Sequence, residues 1–90
     1  MKTKHEIRRE LRRLEGYPHP LTVHENGITR ILARALNVPS RSLRRWSASE
    51  SDHVRRSLGI EADNRKAREF HSGQARALAW LRQPSDGARR

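Results

Sequence analysis

The sequence predicts an all-α protein, a small bundle of four or five helices. Three observations carry that expectation. Apolar residues recur at intervals of three and four in several segments, and polar caps with proline or glycine stops bracket those segments. Only 33% of the 90 residues are apolar, and nine of those are alanine. What remains, about twenty large apolar side chains, suits a thin helical layer better than a deep pocket enclosing a substrate. A single basic helical domain over residues 1–83 follows, with 84–90 (PSDGARR) as a flexible C-terminal tail, and an enzyme is disfavoured.

The stretch TKHEIRRELRRLEG (residues 3–16) places Ile7, Leu11 and Leu14 on one helical face. Thr3 and Glu6 have capping-box spacing, and Gly16 is placed to stop the helix. Arg8, Arg9, Arg12 and Arg13 occupy another face, where Glu6, Glu10 and Glu15 on neighbouring turns offset them. An ordinary solvated face is expected there, with phosphate tracking as the alternative. YPHPLTVHENG (17–27) contains two prolines and a glycine and reads as a loop entering a second helix. That helix starts at Thr22, which repeats the capping-box spacing with Glu25, or later at Asn26 or Thr29.

Ile28, Ile31, Leu32, Ala35 and Leu36 then share one face, and Arg30 and Arg34 point away from it. Asn37 is one of the few non-glycine types that accept the left-handed conformation, so the second helix is expected to end there. Pro39 holds Val38 extended, and a third helix over 39–47 starts at Pro39 or Ser40. It turns Leu43 and Trp46 inward and Arg41, Arg44, Arg45 and Ala48 outward. A short helix from Ser49 or Ser51 to Gly59 follows, with Val54 and Leu58 inward and Arg55 and Arg56 free to touch phosphates. Finally, Ala67, Phe70, Gln74, Ala77, Leu78 and Leu81 share a face of one long helix, or of two helices broken at Ser72-Gly73. Trp80 lies off that face and is expected to cover a neighbouring helix.

The formal net charge is +10, and arginine outnumbers lysine 17 to 3. Arginine's planar fork suits bidentate contact with phosphate and guanine, so nucleic acid is the leading partner. No segment has the length and apolar character to span or coat a membrane, no secretory pattern stands out, and cysteine is absent, so a cytoplasmic protein is expected. His19, His24, His53 and His71 have no metal-ligand spacing, and no nucleophile elbow or phosphate loop frames the serines. No cofactor, metal or catalytic residue is expected.

The stretch ARALNVPSRSLRRW (33–46) joins two helices by a tight turn, with Ala33 where they cross, then Asn37, a buried Val38, and Leu43 and Trp46 inward. Over residues 28–47 the chain resembles the helix-turn-helix of bacterial DNA-binding proteins, with Asn37 where the commonest pattern has glycine. The resemblance implies that the 39–47 helix enters the major groove with Ser40 and Arg41 nearest the base edges. Arg44, Arg45, Arg30, Arg34, Arg55 and Arg56 complete the expected nucleic-acid-binding set, and transcription regulation is the expected role. Pairing of two copies through the C-terminal helix would suit an operator with two half-sites. A looser resemblance covers residues 7–59, where a basic helix, HPLTV (19–23), ILARALNVPSRSLRR (31–45) and SDHVRRSLG (51–59) follow one another. In that order the chain is similar to the FinO/ProQ family of RNA chaperones, which implies a structured RNA as ligand. A third reading is a basic protein that inhibits or scaffolds a partner through the partner's acidic surface.

Overall fold

The computed structural model describes residues 1–86 and, among them, an all-α bundle without strands. Its helices are α1 (Lys4–Glu15), α2 (Val23–Leu36), α3 (Leu43–Ile60) and α4 (Arg65–Leu81), with a 3-10 turn at Ser40–Ser42 leading into α3. Both capping boxes close. Glu6 N donates to Thr3 Oγ1 at 3.2 Å while Thr3 N donates to Glu6 Oε1 at 2.9 Å. Thr22 and Glu25 repeat the pair at 3.1 and 2.9 Å, which starts α2 at the earliest of its expected places. Asn64 begins α4 by accepting from Ala67 N at 3.0 Å.

α4 is the central element, packed most extensively on α2 and then on α3, while α1 packs on α2. The core joins Ile7 and Leu14, Ile31, Leu32 and Ala35, Leu43 and Val54, and Ala77, Leu78 and Leu81. Two glycines set the α2–α4 approach. A Cβ on Gly27 would lie 2.1 Å from the Phe70 carbonyl oxygen, and one on Gly73 would lie 1.9 Å from that of His24. The two backbones touch, so only glycine fits at either position. Gly73 therefore sits inside an unbroken α4, and the alternative of two helices parted at Ser72-Gly73 falls away.

The expected helices 39–47 and 49–59 are likewise one element. α3 runs unbroken for 18 residues, which brings Leu43, Ser47 and Val54 into one buried line. Ser51 does not cap a new helix, because its Oγ donates back to the Ser47 carbonyl at 2.8 Å. Three further expectations at the turn are corrected. Asn37 has φ −92° and ψ −4°, an ordinary right-handed conformation. The C-terminal carbonyls of α2 find their donor elsewhere in the fold: Lys4 Nζ reaches over from α1 to the Leu36 carbonyl at 2.9 Å and also to that of Val38. Ala33 is exposed, since the close helix crossing lies at Gly27 and Gly73 instead. Val38 is half-buried rather than buried.

Leu43 is inward as expected, and Trp46 and Trp80 both pack against the core while remaining half-buried. The chain ends are strapped together. Lys2 N donates to the Leu81 carbonyl at 2.9 Å, and Lys2 Nζ lies 5.3 Å from the Trp80 ring centre. Asp86 N donates to Glu6 Oε2 at 3.0 Å, and its carboxylate lies 3.5 Å from Lys2 Nζ, so this part of the expected tail is tied to α1. Positions 87–90 of that tail lie outside the described residues. The overall extents are 44 × 33 × 22 Å, and the shortest is about two helix diameters. Every helix thus keeps an exposed face. Among the described residues no helix is long and apolar enough to cross a membrane.

Candidate nucleic-acid interface

The guanidiniums fall into two groups, those already held by the protein and those with nothing to neutralise them. Arg34 belongs to the first. Its Nη1 and Nη2 donate to the two carboxylate oxygens of Glu50, each at 3.0 Å, and its guanidinium stands 5.7 Å from the Trp46 ring centre. The structure uses Arg34, one of the expected binding residues, as a strut between α2 and α3, so its guanidinium is already engaged by a carboxylate. Arg13 is held in the same way by Glu10 and Tyr17, and the hydrogen bond to Glu10, then that to Tyr17, push its pKa further up. Arg30 lies over Phe70 at 5.9 Å but is exposed and has no acidic partner among the described residues.

The second group gathers at the start and along the outer side of α3. Ser40 and Arg41 lie in the 3-10 turn, and Arg44 and Arg45 in the first turn of α3, all exposed. None of these three arginines has a carboxylate partner among the described residues. Arg45 and Arg56, eleven residues and three turns apart, share the outward row of α3. Arg44 and Arg55, with the same separation, share the flank that faces α4. Of the two carboxylates in α3, Glu50 is taken by Arg34, and Asp52 lies 3.7 Å from Arg55 as an exposed pair of little strength. The positive charge on this face is therefore nearly uncompensated.

α3 and α4 run antiparallel, so residues far apart in sequence meet along their seam. Arg55 and Arg82 line one groove with Ser51, Leu58, Ala75 and Ala79. Arg44 and Arg82 line the adjoining hollow with Met1, and Arg68 borders the far end beside Leu58, Ser72 and Glu69, whose carboxylate lies 3.5 Å from Arg65. Arg82 and Arg68 were not among the expected binding residues. A signal for them existed, because Arg68, Ala75 and Arg82 recur every seven residues and so share one flank of α4.

Within 28–47 the chain leaves α2, turns, and passes through the 3-10 turn at Ser40–Ser42 into α3, so the helix expected to start at Pro39 or Ser40 starts at Leu43 instead and Ser40 and Arg41 precede it. The two helices are tied by the Arg34–Glu50 strut and share the core through Leu43 and Val54, while α2 packs most extensively on α4. Fold and surface together define a small all-α bundle with an uncompensated arginine face centred on α3. No protein-family model, no characterised protein and no solved structure matches the chain.

Proposed function

We propose that this protein binds nucleic acid noncovalently, in the first place duplex DNA, and acts in the cytoplasm as a transcription regulator that lays α3 in the major groove. One observation carries the reading. Arg41, Arg44, Arg45 and Arg56 crowd the start and outer side of a single long helix, exposed and without acidic partners among the described residues. A helix about 10–12 Å across fits a groove of about that width, and arginine near its N-terminal end can address guanine O6 and N7 in pairs. In this reading Arg41 contributes sequence choice, while Arg30, Arg44, Arg45, Arg55 and Arg56 contribute phosphate affinity. Pairing of two copies through α4, whose outer strip of Arg65, Glu69, Ser72 and Arg76 leads to the half-buried Trp80, would suit an operator with two half-sites.

The test is selection from pooled random duplexes, followed by titration of the selected duplex and a scrambled one at several salt concentrations. Arg41→Ala is expected to lose about 1–3 kcal/mol of discrimination between them. Displacement of the duplex by a small excess of an RNA with a base-paired stem and a single-stranded end, with Arg41→Ala indifferent to duplex sequence, would overturn the DNA reading in favour of an RNA chaperone.

A further inference from the structure

We infer that the α3–α4 groove holds one sugar–phosphate strand, with Arg82, the residue that caps the C-terminal end of α4, as its principal phosphate contact on that side, an inference that rests on the nucleic-acid reading above. The groove is built by tertiary structure alone, from two helices that meet antiparallel with Arg82 between Arg44 and Arg55. Arg82 and Arg44 are exposed and have no carboxylate partner among the described residues, and Arg55 has only the loose contact with Asp52. Ala75 and Ala79, both exposed, put no bulk between these cations.

The spread of the charges selects the ligand. Arg44 and Arg55 are eleven residues apart on one helix, about 16 Å, and Arg68 and Arg82 are fourteen apart on the other, about 21 Å. A single phosphate or a small dianion cannot reach across such distances. A strand carrying a phosphate at every residue can, and arginine forks suit each phosphate as bidentate partners. The same placement sets a division of labour. With α3 in the major groove, its flank and the neighbouring α4 lie over the bordering backbone, where contact adds affinity without reading sequence.

Two arginines, one within α4 and one capping its end, make the test clean. Arg82 borders the groove, whereas Arg76, also exposed and without a carboxylate partner among the described residues, lies on the opposite flank near Glu10 and Trp80. Binding constants for a selected and a scrambled duplex are measured against salt for wild type, Arg82→Ala, Arg82→Lys and Arg76→Ala, with melting curves to confirm folding. In Arg82→Ala the slope of log K against log salt is expected to become shallower by about 0.9, equally on both duplexes. Arg82→Lys is expected to keep the wild-type slope, and Arg76→Ala to match wild type throughout. Equal slopes for Arg82→Ala and Arg76→Ala in a protein that binds DNA would overturn the groove alone. So would displacement of the duplex by polyglutamate at equal charge, which would mark the seam as a site for acidic protein. Absence of any nucleic-acid binding by the wild type would overturn the functional reading and the groove together.

Discussion

Replacing Gly73 by alanine adds one methyl group where two helix backbones already touch. The new Cβ would stand 1.9 Å from the His24 carbonyl oxygen and 2.8 Å from its carbon, whereas ordinary van der Waals contact begins at 3.4 Å. Neither atom belongs to a side chain that can rotate away. α2 and α4 must therefore part by about 1.5 Å at the crossing, and a radial gap of even 0.5–1 Å forfeits a quarter to a half of each dispersion contact. The loosened contacts include those of Ile31, Leu32 and Ala35 with Ala77, Leu78 and Leu81, the centre of the core. Overpacking of this kind costs about 1–3 kcal/mol or more, and the rigid backbone contact puts Gly73→Ala at the upper end. The intrinsic gain of alanine over glycine in a helix, about 1 kcal/mol, offsets only part of it. A net loss of about 2 kcal/mol corresponds to a fall of roughly 8–16 °C in Tm for a domain of this size. Thermal unfolding followed by far-ultraviolet circular dichroism measures it, with Gly59→Ala as the control. Gly59 has nothing within 4 Å of its ideal Cβ, so that variant is expected to melt at or slightly above wild type. Gly27→Ala meets the same crossing from the other helix, and once the helices have parted the second methyl costs little, so the double variant is expected to lose less than the sum. A Gly73→Ala protein as stable as wild type would refute the backbone contact.

The remaining outcomes test single side chains. Lys4→Met keeps the aliphatic stem but removes the ammonium from the carbonyls of Leu36 and Val38, and is expected to cost about 1–2 kcal/mol by denaturant titration; an unchanged midpoint would remove the cap. Asn37→Gly is expected to destabilise by about 0.5–1 kcal/mol, because a right-handed residue gains nothing from glycine's freedom; a stabilised variant would restore the left-handed turn. Glu6 is held down to about 2 from an ordinary 4.5 by the backbone donors of Asp86 and Thr3 and by the Ser85 side chain. A lowered carboxylate pKa contributes stability that is present above 4.5 and is lost as pH falls from there toward 2. Unfolding midpoints followed across that interval are expected to fall less in Glu6→Gln than in wild type, and parallel curves would contradict the assignment.

The chemistry of near neighbours was enough to determine several parts of this protein. The pairs Thr3–Glu6 and Thr22–Glu25 start helices because the bonds that close each capping box lie within three residues. The inward faces of α1 and α2, and of Leu43, follow from helical spacing for the same reason, and the arginine excess is plain in composition. Where a residue can serve two ends, only the tertiary partner decides. Gly73 reads as a break by itself but becomes the place where α2 touches α4, and Ser49 and Ser51 read as caps until the burial of Ser47 and Val54 keeps α3 continuous. Asn37 is suited to a left-handed stop, yet Lys4, more than thirty residues earlier, supplies the donor that makes one unnecessary. The candidate interface divides along the same line. Arg41, Arg44 and Arg45 are legible as a basic cluster facing outward, but their continuation to Arg56 depends on α3 being unbroken, the pairing of Arg34 depends on Glu50, and the recruitment of Arg82 depends on α4 lying antiparallel to α3. Charge along a helix is a local property, whereas the neutralisation or convergence of that charge depends on distances between helices, which packing alone sets.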